Sequence, residues 1–366
     1  MSTSPDATGT PPLVGDDHPA PHLRTLDRLL PLWIGCAMGL GIALGQIIPD
    51  LSGKLDALHV DTVSLPIAVG LLLMMYPVLA KVRYGELHHV AQNGKLLATS
   101  LVLNWLVGPA LMFGLASLML PDLPAYRTGL IVVGLARCIA MVLIWNDLSC
   151  GNSEVAAVLV ALNSLFQIVA YSLLGWFYLT KLPDLLGMSN AALDVSMWSI
   201  ARAVAIFLGI PLLAGYLSRA VGERRRGRDW YEQSFLPRIG PIALWGLLFT
   251  IVALFALQGD RIVHAPGDVA RIALPLLAYF ALMWLGSMWL TRRLGFDYPT
   301  ASSISFTAAG NNFELGIAVC IAVFGATSGQ ALAGAVGPLI EVPVLVGLVT
   351  VALKLRGTWP RSTLDA

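Results

Sequence analysis

GLIVVGLARCIAMVLIW, residues 129–145, and SISFTAAGNNFELGIAVCIAVF, residues 303–324, are each apolar enough to cross a bilayer, and each carries charge. The first holds Arg137 beside Cys138; the second holds Glu314 just after Gly310-Asn311-Asn312. A charged side chain at the centre of a membrane helix costs about 2.5–3.5 kcal/mol even on lenient insertion scales, so such residues concentrate at water-lined cavities and sites of action. Outward from these stretches the chain has the same character. Of its 366 residues 57% are hydrophobic and only 12% charged, with a mean hydropathy of +0.74, whereas soluble domains carry roughly 25% charge. Apolar runs of about 20 residues, the length of a bilayer-spanning helix, recur throughout. Length therefore counts helices here, not domains.

A net charge of +1 gives no general attraction for nucleic acid, and the basic run Arg224-Arg225-Arg226 with Arg228 falls between apolar segments, where it reads as a topology signal. The four cysteines, Cys36, Cys138, Cys150 and Cys320, show no CxxC spacing, and the six histidines no ligand spacing; His88-His89 reads as a solvated loop. Neither a disulfide framework, a structural metal site nor a cofactor is implied. Residues 1–28, rich in Pro, Asp, Ser and Thr, read as a disordered cytoplasmic tail rather than a secretory signal.

The fold expected is an all-α membrane protein of ten transmembrane helices. The spans run approximately over 29–48, 64–80, 96–120, 129–144, 155–179, 197–217, 239–257, 272–290, 300–324 and 331–353. They group into a first five-helix repeat, 29–180, and a second, 197–353, with a cytoplasmic tail over 354–366. With the amino terminus inside, sixteen Lys and Arg lie on the cytoplasmic side and five outside: Lys54, Arg127, Lys181, Arg261 and Arg271. That asymmetry places both termini in the cytoplasm. Five is odd, so the second repeat enters the membrane inverted with respect to the first, a common transporter plan. Spans four and nine occupy matching positions. Small and polar residues end the fourth early, from Trp145 to Ser153, and Thr307–Asn312 interrupt the ninth. Interrupted helices at corresponding places in two halves point to a binding site and to crossing, broken helices.

Glu314 is the strongest candidate for chemistry, because a carboxylate in a span can take up and release a proton as its surroundings alternate; the competing reading is a structural ion pair with Arg137 or Arg202. Glu341, in Ile340-Glu341-Val342-Pro343, is the second such acid. Cys138 reads either as a small buried hydrophobe or as a thiolate favoured by the neighbouring cation, the form that binds soft metalloid centres. Consecutive helix residues diverge, so Arg137 and Cys138 need not touch. Asn104, Asn163 and Gln167 either line a cavity or bond across helices, Gln167 more in the second manner. Arg202 lies near a span end, where snorkelling explains it. Gly35, Gly39, Gly41 and Gly45 mark close packing in the first span.

At GLARCIAMVLIWNDLSCGN (134–152), GIPLLAGYLSR (209–219), FTAAGNNFELGIAV (306–319) and IEVPVLVGLV (340–349) the chain resembles the arsenical-resistance-three permeases, members of the bile-acid/arsenite/riboflavin transporter superfamily. The resemblance runs from the first span to the last. It implies two inverted five-helix repeats, with helices four and nine broken and crossing near the midplane, and a core bundle that moves against a panel. The implied activity is export of arsenite, and of antimonite, by proton antiport through a multi-pass protein of the cell membrane. It implies that Cys138, the metalloid contact, and Glu314 are needed for transport, and Arg137, Asn104, Trp145, Asn163 and Glu341 match other functional positions of the family. From the chemistry of arsenous acid, its hydroxyls are expected to meet Asn311, Asn312 and Glu314; proton coupling is expected at Glu314 and Glu341, and Arg202 is counted with Arg137, Asn104, Trp145 and Asn163 in a supporting polar network. One thiolate gives a releasable contact with arsenic where three would trap it. Two other readings stay open: a sodium-coupled organic-anion symporter of the same fold, and an intramembrane cysteine enzyme, which would need a general base that no span supplies as histidine.

Overall fold

The computed structural model describes residues 30–48, 59–60, 63–82, 93–188, 196–264 and 266–359. The expected tail 1–28, the pair His88-His89 and the chain end after Trp359 lie outside these. Among the described residues the protein is helical apart from one short antiparallel pairing, His59–Val60 with Val63–Ser64. The helices are α1 (Leu30–Ile47), α2 (Leu65–Ala80), α3 (Gly94–Met119), α4 (Pro124–Leu135), α5 (Met141–Leu148) and α6 (Ser153–Leu185), followed by α7 (Met197–Arg226), α8 (Arg228–His264), α9 (Pro266–Arg293), α10 (Tyr298–Ala309), α11 (Phe313–Phe324) and α12 (Gly329–Arg356). Six of them, α3, α6, α7, α8, α9 and α12, are long and apolar enough to cross a membrane. With the shorter apolar helices they make this an all-helical, multi-pass membrane protein.

Two groups of helices emerge from the packing. Helix α8 lies along α1 and α2, and α2 lies along α7. The remaining helices form a second body, in which α9 packs on α3, α10 and α12, and α4 on α3, α11 and α12. Close approach in the first group needs glycine. A Cβ on Gly41 would sit 2.6 Å from the Val252 carbonyl oxygen, and one on Gly45 2.5 Å from that of Ala256. Gly35 and Gly39, expected to serve the same purpose, face open space.

Four helices contain a π-helical turn, at Leu103–Val107, Phe177–Lys181, Ala205–Gly209 and Tyr231–Phe235. A proline follows each turn two residues later, at Pro109, Pro183, Pro211 and Pro237. Proline has no N–H and its ring clashes with the carbonyl four residues back; a wider turn removes the clash without breaking the helix. At the α3–α4 loop Arg271 donates to both oxygens of Asp122, and this guanidinium holds the exposed carboxyl below its ordinary range.

Candidate functional site at the meeting of two interrupted helices

The break in the first interrupted stretch falls earlier than the polar residues suggested. Helix α4 stops at Leu135 and α5 starts at Met141, so Ala136–Ala140 is not helical, while Trp145–Ser153 forms the far end of α5 and the start of α6. The second break is short, Gly310–Asn312, where expected. The two breaks bond to each other through the backbone. Cys138 N–H donates to Gly310 O at 3.2 Å and Asn312 N–H to Ala136 O at 3.0 Å, with Arg137 opposite Asn311 as in an antiparallel pair. Each break thus satisfies backbone groups that the other leaves free, which an unwound segment in hydrocarbon requires. Gly310 permits the approach, since a Cβ there would lie 2.9 Å from Cys138 Cβ.

Around this bridge the candidate residues gather. Arg137 is fully buried and donates through Nη1 to Tyr279 Oη at 2.8 Å and Ala308 O at 3.3 Å, and through Nη2 to Gly134 O. Its backbone N–H donates to Gln167 Oε1 at 3.0 Å, so Gln167 does bond across helices. Tyr279 hands the chain on to Asn311 Oδ1 at 3.4 Å, and Glu341 Oε1 accepts from the Asn311 backbone N–H at 3.3 Å. Asn312 Oδ1 caps α11 through Leu315 N–H at 3.0 Å. The Cys138 thiol is buried beside the start of α5 and lies within electrostatic reach of Glu341 and Glu314. The ion pair of Glu314 with Arg137 does not form: every partner of the Arg137 guanidinium is neutral.

The other candidates sit apart from this centre. Asn104 and Asn163 meet each other at 3.4 Å, joined by Trp105 Nε1, which donates to Asn163 Oδ1 at 3.3 Å. Arg202 is exposed on α7 and Trp145 is buried on α5. Sequence reasoning passed over Tyr279 and Trp105. Both are aromatic residues that suit an apolar helix on packing grounds alone, and the partners reached in space reveal them.

Several buried donors at the bridge find no acceptor among the described residues: Arg137 Nε, Gln167 Nε2, Asn311 Nδ2 and Asn312 Nδ2, with Trp145 Nε1 on α5. Buried donors left open in this way are rare and suit a guest that brings oxygen atoms. A cavity of about 490 Å³ opens between the two helix groups, lined by Met74, Val78, Lys81 and Leu247 on one side and by Ile139, Ala140, Ile144 and Asp147 on the other. Its charged residues are Lys81, Asp147 and Glu154 together with Glu314, the one that α11 contributes. Glu314 also borders a small apolar void beside Leu71, Thr250 and Phe313.

Residues 68–265 match the model of the sodium bile acid symporter family. The chain is 58% identical to an arsenical-resistance protein Acr3 of Corynebacterium glutamicum over 334 residues, which covers 91% of this chain and 90% of that one. It is 30% identical to an Acr3 of Alkaliphilus metalliredigens, covering 94% and 96%, and 36% identical to an uncharacterised transporter of Synechocystis, covering 93% and 91%.

Proposed function

Because the chain belongs to the sodium bile acid symporter family, and within it to the Acr3 arsenical-resistance proteins, we propose that it is a secondary transporter, not an enzyme, which exports arsenite from the cytoplasm in exchange for protons. The observation that carries the reading is the convergence of one soft sulfur, Cys138, and two carboxylates, Glu314 and Glu341, on a bridge of unwound backbone. At neutral pH arsenite is uncharged arsenous acid. Its hydroxyl oxygens suit the open amide donors of Asn311 and Asn312, its hydroxyl protons suit a carboxylate, and its arsenic suits a single thiolate that can release it. Antimonite has the same chemistry and is the second cargo. Trp145, Asn104 and Asn163 support the helices that carry these groups.

The architecture proposed is ten spans in two inverted repeats, 29–180 and 197–353, with α4–α5 and α10–α11 as the broken fourth and ninth spans. Both termini are cytoplasmic. On that orientation Lys81 and the α7–α8 elbow lie inside, so the 490 Å³ cavity opens to the cytoplasm and ends at Glu314. Arsenous acid enters there, contacts Cys138 as the helix groups shift, and leaves outward when a proton from outside reaches Glu314, with Glu341 as the second carboxylate on the proton path.

The test is arsenite uptake into inverted vesicles under an imposed pH gradient, comparing the native chain with Cys138→Ser and Glu314→Gln. Gradient-driven uptake is expected for the native chain and background flux for both variants. Normal transport by Cys138→Ser would remove the thiol from the mechanism, and native vesicles that move no arsenite would end the cargo assignment.

A further inference from the structure

Two half-helices point their carbonyl ends at the bridge, α4 ending at Leu135 and α10 at Ala309. A helix C-terminus leaves its last carbonyls without partners and carries about half a negative charge. One guanidinium serves both ends: Arg137 donates to Gly134 O of α4 and to Ala308 O of α10. The side chain is completely buried, and neither Glu341 nor Glu314 pairs with it; its third partner is the neutral phenol of Tyr279. Gly108 makes the room, since a Cβ there would lie 2.6 Å from Nη1. A buried charge without a counter-charge is strongly destabilising, and what balances this one is the pair of helix ends. In transporters built from half-helices, such carbonyl ends are where a coupling sodium ion or proton is held.

We propose that Arg137 is a resident cation, occupying with its guanidinium the place a monovalent metal ion would take between the carbonyl ends of α4 and α10, and thereby making the protein independent of sodium. This goes beyond the cargo assignment and rests on the geometry of the bridge alone. Removing the side chain opens a site for a small monovalent cation. Arg137 acts here as a positioning residue, holding the two breaks together while the thiol and carboxylates handle cargo.

The experiment measures thermal unfolding of the purified full chain in lipid nanodiscs with sodium, guanidinium or N-methylglucamine chloride, each at roughly 20 mM, because a cation bound only by the folded state raises its melting temperature. The native chain and Arg137→Lys are expected to melt alike in all three salts. Arg137→Ala should melt lower in N-methylglucamine and recover by about 3 °C or more in sodium or guanidinium. An Arg137→Ala protein indifferent to the cation, or a native chain stabilised specifically by sodium, overturns the proposal. If Arg137→Ala does not fold, Arg137→Gln decides: it should melt below Arg137→Lys, and a neutral glutamine that equals or exceeds lysine shows that no cation is needed. None of these readouts depends on whether arsenite is moved, so failure here and failure of the transport assignment are separable.

Discussion

A single methyl group at residue 108 decides whether Arg137 can lie across the bridge. In Gly108→Ala the new carbon would sit 2.6 Å from Arg137 Nη1 and 3.2 Å from Tyr279 Oη, both fully buried. Overpacking of this kind costs about 1–3 kcal/mol, and thermal unfolding should show the loss, while Gly114→Ala on the same helix, where nothing lies within 4 Å, should show none. Equal melting of the two variants would mean the guanidinium is not held where the structure puts it. Charge in an apolar run made Arg137 and Glu314 legible in the sequence, and Glu341 likewise, because their expense demands an explanation. Tyr279 was not legible: tyrosine costs little in a helix, and its importance lies in joining Arg137 to Asn311, a relation between helices that no local pattern records.

Helix α5 shows how the elements are fixed. Its end is a Schellman turn in which Gly151 N–H bonds Asn146 O at 2.8 Å and Cys150 N–H bonds Asp147 O at 3.2 Å, with Cys150 at φ 56° in the left-handed region that glycine normally fills. Cys150→Gly is therefore expected to stabilise the protein by about 1 kcal/mol, seen as a raised melting temperature, and an unchanged or lowered value would contradict the strain. Beyond the turn a polar seam ties α5 to the start of α10. Ser303 Oγ donates to Asn146 Oδ1 at 2.7 Å, the hydroxyls of Ser149 and Ser302 meet at 2.7 Å, and Tyr298 Oη donates to Ser149 O at 2.8 Å. Sequence placed the small and polar residues of 145–153 correctly but read them as the break. They end a helix, whereas the break at Ala136–Ala140 consists of residues that would suit a helix and is held open by backbone bonds to Gly310 and Asn312 of the second break. The four prolines were equally visible, but their consequence, a widened turn just before each, shows only in the structure.

At the scale of the whole molecule, the cavity between the two helix groups makes a prediction about sidedness. On a background with Cys36 replaced by alanine, a cysteine introduced at Ser153, an exposed cavity-lining position, should react with a membrane-impermeant maleimide in inverted vesicles and not in intact cells. Labelling only from outside would reverse the proposed orientation. The helix count and the charge asymmetry suggested this arrangement from sequence, but the grouping of α1, α2, α7 and α8 against the remainder did not show there, because apolar membrane helices look alike whatever they pack on.

On the proposed transport cycle, the bridge of Cys138 to Gly310 and Ala136 to Asn312 bears on throughput. Backbone bonded between the two breaks leaves no open channel there that cargo could file through. Each molecule then waits for one group of helices to shift past the other, and collective motions of that size take microseconds to milliseconds. Turnover is then capped on the order of 10³ to 10⁶ events per second, and flux saturates with cargo. A cell that relies on this protein would raise its clearance rate by making more copies, since widening the path would open a leak.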